Sequence, residues 1–498
     1  MIKLIKNNES WIKVDCDTDQ AINISDDSRF SFYAQGYQWS PKYKSGIWDG
    51  RIKLFNSRNR LLPQGLLQEI VNYLQENHLQ YKVDPSFKVK GVNLSEKWIC
   101  EFVKDALQCK FVPRDYQIAA VQRIFKMRKS INLLPTASGK SFVFYIVINI
   151  LKFLNPERKI LMIVPSTNLV EQMNSDFCEY AEDWCNYSEN IHKIYGGKEK
   201  DTDKFLCIST WQSLQNIKGT KWFQQWDTVI VDEVHSVSTN KSGGKNPGNV
   251  ISQIIGKCDR ADFRVGLTGS LADSAVDKLQ LKGLFGPIKK ITNTKKLIDE
   301  GYLSNLQIKS FILKHRKSEC RLCVKMSYQN ENEFIRGSVY KLNFIQKLAL
   351  SRKGNTLILF KSIEYGKKIV KILEDKGKTI YYVDGQVKTE DREQIRQLTE
   401  NGKNVIIVAS YATYSTGINI TNLVNIILAE SMKSSIKIIQ SIGRVLRKHK
   451  LKETAVLYDI VDDLIAGKRK NYCVRHYESR KQIYKSEQFV FTEKRFNI

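Results

Sequence analysis

Leu133-Leu134-Pro135-Thr136-Ala137-Ser138-Gly139-Lys140-Ser141 is the stretch on which the fold turns. An apolar approach, Ile131 to Leu134, leads into it, and a helix-like apolar segment, Phe142 to Ile150, follows. Strand, small-residue loop and helix in that order make a cradle for phosphate, because loop N–H groups and the helix N-terminus face the anion. In such a cradle Lys140 is placed to reach the β- and γ-phosphates of a nucleoside triphosphate, and Ser141 to hold Mg²⁺. Pro135, Thr136, Ala137, Ser138 and Gly139 complete the loop expected to touch the nucleotide. One departure stands out: the strict pattern has Gly where this chain has Leu134.

Well downstream comes Val229-Ile230-Val231-Asp232-Glu233-Val234-His235. An apolar strand ending in two acids sets them at the C-terminal edge of a parallel sheet, where open sheets bind ligands. Asp232 is the expected Mg²⁺ ligand. Glu233 is placed to orient and deprotonate an attacking water.

Around these motifs apolar strand-like runs alternate with helical stretches. Ile160 to Val164, Phe205 to Ser209, Thr228 to Val231 and Arg264 to Leu267 form one series. Thr356 to Phe360, Ile380 to Val383, Val405 to Ala409, Val424 to Leu428 and Ala455 to Val461 form another. Strands apolar on both faces belong to parallel sheets covered by helices, so two α/β lobes are expected, joined near Lys295 to Asn305. Residues 1–95 read differently, with short strands (Trp11 to Val14, Arg51 to Phe55) and an amphipathic helix, Leu67 to Leu79. The expected organisation is a small α+β domain over 1–95, a first lobe over 96–298 and a second over 299–498 with a basic tail.

The 498 residues have room for about three domains at ~150 residues each. Against 52 Asp and Glu stand 79 Lys and Arg, a formal net charge of +27 that points to a polyanionic partner, most simply nucleic acid. No basic amphipathic anchor and no apolar run of spanning length argue for a membrane, and the polar N-terminus does not read as a signal peptide. Ten cysteines without framework spacing suit a reducing cytoplasm. Cys320-x-x-Cys323, with His315 nearby, has no second pair at zinc-site spacing and reads as ordinary thiols.

Together these motifs resemble superfamily 2 helicases of the DExH type. Pro135 to Ser141 is similar to that family's motif I and Asp232-Glu233-Val234-His235 to its motif II, and the rest follow in the family's order. Arg114-Asp115-Tyr116-Gln117 resembles the adenine-reading segment, which implies nucleotide contacts for Arg114 and Gln117. Val164-Pro165-Ser166-Thr167 and Ser209-Thr210-Trp211-Gln212 resemble strand-contacting motifs, implying nucleic-acid contacts for Pro165, Ser166, Thr167, Thr210, Trp211 and Gln212. Leu267-Thr268-Gly269-Ser270 resembles motif III, which links hydrolysis to lobe movement. Ser415-Thr416-Gly417 resembles motif V, with Ser415 and Thr416 toward nucleic acid and Gly417 toward nucleotide. Gln440-Ser441-Ile442-Gly443-Arg444-Val445-Leu446-Arg447 matches motif VI and implies catalytic roles for Gln440, Arg444 and Arg447. Guanidinium groups stabilise a transferring phosphoryl group by roughly 10³–10⁵ in rate, and supplying them from another lobe makes hydrolysis depend on closure. Ala137 and Asn419 depart from commoner Gly and Asp by small steps.

Within the superfamily the whole chain resembles the phage UvsW group. Gly36-Tyr37-x-Trp39-x-Pro41-x-Tyr43-x-x-Gly46-x-Trp48-Asp49-Gly50-Arg51-Ile52 is similar to that group's N-terminal domain. Basic residues here (Lys42, Lys44, Arg51, Lys53) are expected on DNA phosphates, and most of the interleaved aromatics in the core. The basic tail (Lys468, Arg469, Lys470, Arg475, Arg480, Lys481, Lys485) reads as a solvated helix face or a track beside the duplex.

The resemblance implies two tandem RecA-like lobes behind the small domain, with ATP and Mg²⁺ as cofactors. It implies branched or duplex DNA, RNA–DNA hybrids included, as substrate for junction migration, fork reversal and R-loop unwinding. It leaves the protein partners open, with single-strand-binding or recombination proteins as candidates, and implies the cytoplasm (a host cell's, for a phage gene) as the compartment. Three rivals stand beside this: an RNA helicase, the motor subunit of a restriction system, and a non-enzymatic DNA-binding or annealing protein. Intact Lys140, Asp232, Glu233 and Arg447 argue against the last.

Overall fold

The computed structural model describes residues 1–34, 36–88, 91–181, 184–237, 247–271, 274–417, 420–432, 441–450 and 452–498, leaving out the side chains of 184–186, 247–249, 275, 389 and 415–417. By compactness the chain divides into Met1–Leu134 with Gly139–Ile291, and Pro135–Ser138 with Thr292–Ile498.

In the first unit, runs with no polar face become strands buried along their whole length: Ile160–Val164, Leu206–Thr210, Thr228–Asp232 and Phe263–Thr268. They belong to a seven-stranded sheet in the order Ile288–Lys290, Lys129–Leu133, Phe263–Thr268, Thr228–Asp232, Ile160–Val164, Leu206–Thr210, Ile191–Ile194. Every pairing is parallel, so all C-terminal ends share one edge. The loop from Leu134 to Gly139 leaves that edge and enters the helix Lys140–Leu154, whose buried Phe144, Val147 and Ile148 hold it in place.

Ahead of this sheet lies the small α+β domain. Alternating Ile2, Leu4, Ile12 and Val14 point inward from a mixed sheet ordered Leu61–Pro63, Trp11–Asp15, Ile2–Lys6, Tyr81–Val83. They pack on Ile70, Tyr73 and Leu74 of the helix Leu67–Glu76. A separate antiparallel ribbon pairs Ser31–Tyr33 with Arg51–Lys53. Polar contacts tie the domain to the lobe that follows: Lys129 Nζ meets Glu9 Oε2 at 2.6 Å, Arg264 donates to Ser10 Oγ at 2.5 Å, and the Glu9 N–H donates to Asp259 O at 2.9 Å. Burial, with the like charge of Arg264, brings the Lys129 ammonium down to about 7.

The second unit repeats the architecture. Its sheet runs Ile380–Val383, Ile406–Ser410, Asn355–Phe360, Leu423–Leu428, Thr454–Asp463, Asn305–Lys314, Val490–Asn497, again all parallel. The two RecA-like lobes behind a small α+β domain are thus present. Cys320 and Cys323 are buried with Cys473 in an apolar cluster, and burial raises their thiols, that of Cys323 to about 11.

The tail corrects one expectation. Arg480, in the helix Tyr472–Ser486, is neither solvated nor free for a duplex. It is buried, its guanidinium forks onto both oxygens of buried Asp459 at 2.8 and 2.9 Å, and Tyr484 donates to the same carboxylate at 2.9 Å. Lys468, Arg469, Lys470, Arg475 and Lys485 remain exposed. Breaking one side of a buried pair strands the other charge, so Arg480→Ala is expected to cost about 3–5 kcal/mol. Lys485→Ala should stay within about 0.5 kcal/mol. Denaturant unfolding of the two variants, followed through the transition of the second unit, checks this.

Candidate nucleotide site

Three of the expected residues meet at the C-terminal edge of the first sheet. Lys140 opens its helix, Asp232 ends the strand Thr228–Asp232 and Glu233 follows it directly. Lys140 Nζ lies 3.6 Å from Glu233 Oε1. Glu233 Oε2 is 3.0 Å from Thr268 Oγ1 and 3.1 Å from His235 Nδ1, and His235 Nδ1 is 2.8 Å from Thr268 Oγ1. Glu233 takes a φ of +50°, a left-handed turn that a branched or bulky residue resists. Burial alone would raise its carboxyl, but the Lys140 ammonium and the His235 and Thr268 hydrogen bonds hold it well below the usual range.

Asp232 is the opposite case. Burial, with the charge of Glu233 beside it, pushes its carboxyl up to about 7. Its Oδ1 is buried without a hydrogen-bond partner among the described residues. An anionic oxygen so placed is completed by a cation, and the residues present fit Mg²⁺. Ser141, the other expected ligand, has its hydroxyl 2.9 Å from the Tyr180 hydroxyl.

The loop itself relies on two left-handed residues, Ala137 at φ +65° and Gly139 at φ +75°. A Cβ on Gly139 would fall 2.5 Å from Gln117 Nε2, the mobile end of a side chain, so the left-handed φ is the stronger requirement for glycine. Gln117 is buried and donates to Gly139 O of the loop at 3.5 Å, and it accepts from the Arg114 N–H at 2.9 Å. Pro135 and Ser138 are buried, and Thr136 is half-buried.

The strand-contacting candidates also cluster. Thr210 pairs with Val164 across neighbouring strands, and Gln212 donates to Pro165 O at 3.4 Å. Pro165, Ser166, Thr167, Thr210, Trp211 and Gln212 therefore share one stretch of the same edge. Spacing alone does not predict Tyr180 as a partner of the site, because it reaches Ser141 from the end of another helix, whereas Thr268 and His235 lie in the motif III and motif II stretches.

In the second unit Arg444 donates to Tyr414 O at 2.7 Å and lies over the Tyr414 ring, and Arg447 is half-exposed. Ser415, Thr416 and Gly417 end the helix Tyr411–Gly417, their side chains outside the description. Gln440 and Asn419 lie outside the described residues. In the N-terminal domain Lys42 and Lys44 are exposed, Lys53 pairs with Asp26 at 2.6 Å, and Arg51 lies over Tyr33. Tyr37, Trp39, Tyr43 and Trp48 are not core: none is buried, and the core is aliphatic with Phe30 and Phe55.

Two all-parallel lobes, a phosphate loop and a strand-terminal Asp-Glu pair define a superfamily 2 helicase. Matches to family models agree: "Type III restriction enzyme, res subunit" over residues 110–273 and "Helicase conserved C-terminal domain" over 340–449. Residues 1–84 match "DNA helicase UvsW, N-terminal". The ATP-dependent DNA helicase uvsW of Enterobacteria phage T4 is 35% identical over 523 aligned residues, covering 100% of both chains. Its crystal structure superimposes with a TM-score of 0.51 at 33% identity, over 100% of this chain and 99% of that one. A DNA 3'-5' translocase, XPB2 of Sulfurisphaera tokodaii, is 22% identical over 417 residues, 75% of this chain and 87% of the relative. The chain belongs to the UvsW family of helicases.

The Thr268 hydroxyl bridges Glu233 and His235, so Thr268→Val should release both without emptying the site. Losing a hydrogen bond to a charged group costs about 1.5–3 kcal/mol. Steady-state ATP turnover is expected to fall by about 10- to 100-fold, with nucleotide affinity nearly unchanged.

Proposed function

We propose that this protein is an ATP- and Mg²⁺-dependent DNA helicase that acts on branched DNA, in junction migration, fork reversal and R-loop unwinding. The observation that carries this is the meeting of Lys140, Asp232 and Glu233 at one sheet edge in a chain of the UvsW family. The relative from phage T4 is named an ATP-dependent DNA helicase, and a host cell's cytoplasm is the corresponding workplace. Among the described residues no helix is long and apolar enough to cross a membrane.

In this reading Lys140 binds the β- and γ-phosphates, exchanging Glu233 for them. Gln117 and Arg114 hold the base, and Pro135 to Gly139 with Gly417 wrap the phosphates. Asp232 and Ser141 would hold Mg²⁺, which neutralises phosphate charge when bound. Glu233, released from Lys140 and steered by Thr268 and His235, positions the attacking water and takes its proton. Arg444 and Arg447, with Gln440, offset charge on the transferring phosphoryl group. DNA contacts fall to 165–167, 210–212, Ser415 and Thr416, and to Lys42, Lys44, Arg51 and Lys53 of the domain over 1–95. The lobes over 96–298 and 299–498 form the motor.

Lys140→Ala is expected to abolish ATP hydrolysis while leaving DNA binding mostly intact, since phosphate contacts to DNA are spread over many cations. Equal turnover in mutant and wild type contradicts the assignment. Glu233→Gln keeps shape and loses the base, so it should bind ATP and hydrolyse it very slowly. A filter-binding assay beside a turnover assay separates the two effects. The substrate class is tested by ATPase rates with single-stranded, duplex, four-way and RNA-containing ligands side by side. Four-way DNA should stimulate most; stimulation by RNA alone would favour an RNA helicase.

A further inference from the structure

Between the ribbon strands Ser31–Tyr33 and Arg51–Lys53 the chain makes an excursion that the nucleotide chemistry does not use. It holds a three-residue 3-10 turn, Tyr37–Trp39, and a single helical turn, Pro41–Lys44. The excursion is braced from within. The Tyr37 ring sits so close to Gly50 that a Cβ there would fall 2.4 Å away, and Gly50 takes a φ of +79°. Tyr37 stacks on Tyr33 at 4.5 Å and meets Tyr43 edge-on at 4.8 Å. Trp48 donates its indole N–H to Arg51 O at 2.8 Å.

On this frame Trp39 stands 78% exposed and Ile47 79% exposed. Isolated surface apolar residues are ordinary, but two large ones on one braced excursion flanked by cations are not. Lys44 Nζ lies 5.6 Å from the Trp39 ring, Arg51 lies over Tyr33 at 4.9 Å, and Lys42 is exposed. Asp49 is the one acid between Arg29 and Lys53. A basic excess around an exposed indole fits a polyanion that also offers flat apolar faces.

We propose that Trp39 and Ile47 form a stacking face for unpaired nucleobases, through which this domain reads the branch point of a DNA substrate. The inference rests on the reading above, in which the N-terminal domain binds DNA. In continuous duplex each base is stacked on its neighbours and offers no π-face, whereas a base at a fork or junction does. Phosphates are alike in both. Cations at Lys42 and Lys44 therefore supply affinity without choice, and the apolar face supplies the choice.

The test uses the full chain without nucleotide. Its ligands are a fork with unpaired arms, a single strand and a blunt duplex, each titrated at several salt concentrations. Trp39→Ala should weaken fork and single-strand binding by about tenfold or more, with duplex affinity and salt slope unchanged. Trp39→Phe should restore most of the loss, and Ile47→Ala should give the same selective loss in smaller measure. Lys42→Ala with Lys44→Ala should weaken all three ligands and flatten the duplex slope by about 0.9 per lost contact. If the lysine pair matters and the Trp39 and Ile47 variants do nothing, or weaken all ligands equally, the stacking face is wrong while the domain's DNA-binding role stands. If the lysine variant is also silent, that role fails too. A change of oligomeric state in Trp39→Ala with DNA binding intact would make the face a protein contact and overturn the proposal.

Discussion

The proposed mechanism turns on the pairing of Lys140 with Glu233. Both groups are held in a poorly solvated edge of a parallel sheet, where an unpaired charge is expensive. The Lys140 ammonium lies 3.6 Å from the Glu233 carboxylate, and that ammonium, His235 and Thr268 hold the carboxyl well below the usual range against its burial. In the proposed mechanism a triphosphate, which brings more negative charge than Glu233 does, displaces the carboxylate from Lys140. The same exchange frees Glu233 for water. Beside Glu233, Asp232 is buried with its Oδ1 lacking a hydrogen-bond partner among the described residues, and burial with the Glu233 charge pushes its carboxyl up to about 7.

The N-terminal domain is coupled to this machinery by position and packing. Its contacts to the first lobe include Lys129, the first residue of the strand that feeds the phosphate loop, and Arg264, in the adjacent strand. Lys129 is held between Glu9 and Arg264 with its ammonium brought down to about 7. Such a contact resists separation, because pulling the domain away strands buried charge on both sides. The domain therefore shares its fate with the first lobe.

Much of this was legible in the sequence because the physics is local there. Strands such as Ile160–Val164 are apolar on both faces, and only a sheet covered on both sides tolerates that. The Gly139-Lys140-Ser141 and Asp232-Glu233 motifs announce themselves because phosphate and metal chemistry admits few residue types. What escaped lay in long-range partners and in edges. Val490–Asn497 (VFTEKRFN) is a sheet edge and largely exposed, so its pattern has no apolar signature. Arg480 reads as surface charge until Asp459, 21 residues back in sequence, is seen beneath it. The N-terminal aromatics read as core by composition, but aliphatic residues fill that core and leave Trp39 outside. Tyr180 reaches Ser141 from the far end of another helix, which no spacing rule encodes.

The most direct test is a crystal structure of the protein with a non-hydrolysable ATP analogue and Mg²⁺. The account predicts the β- and γ-phosphates on Lys140, the metal beside Asp232, and Glu233 parted from Lys140 and facing the γ-phosphate. A nucleotide bound elsewhere, or one bound with the Lys140–Glu233 pair still closed, would contradict it.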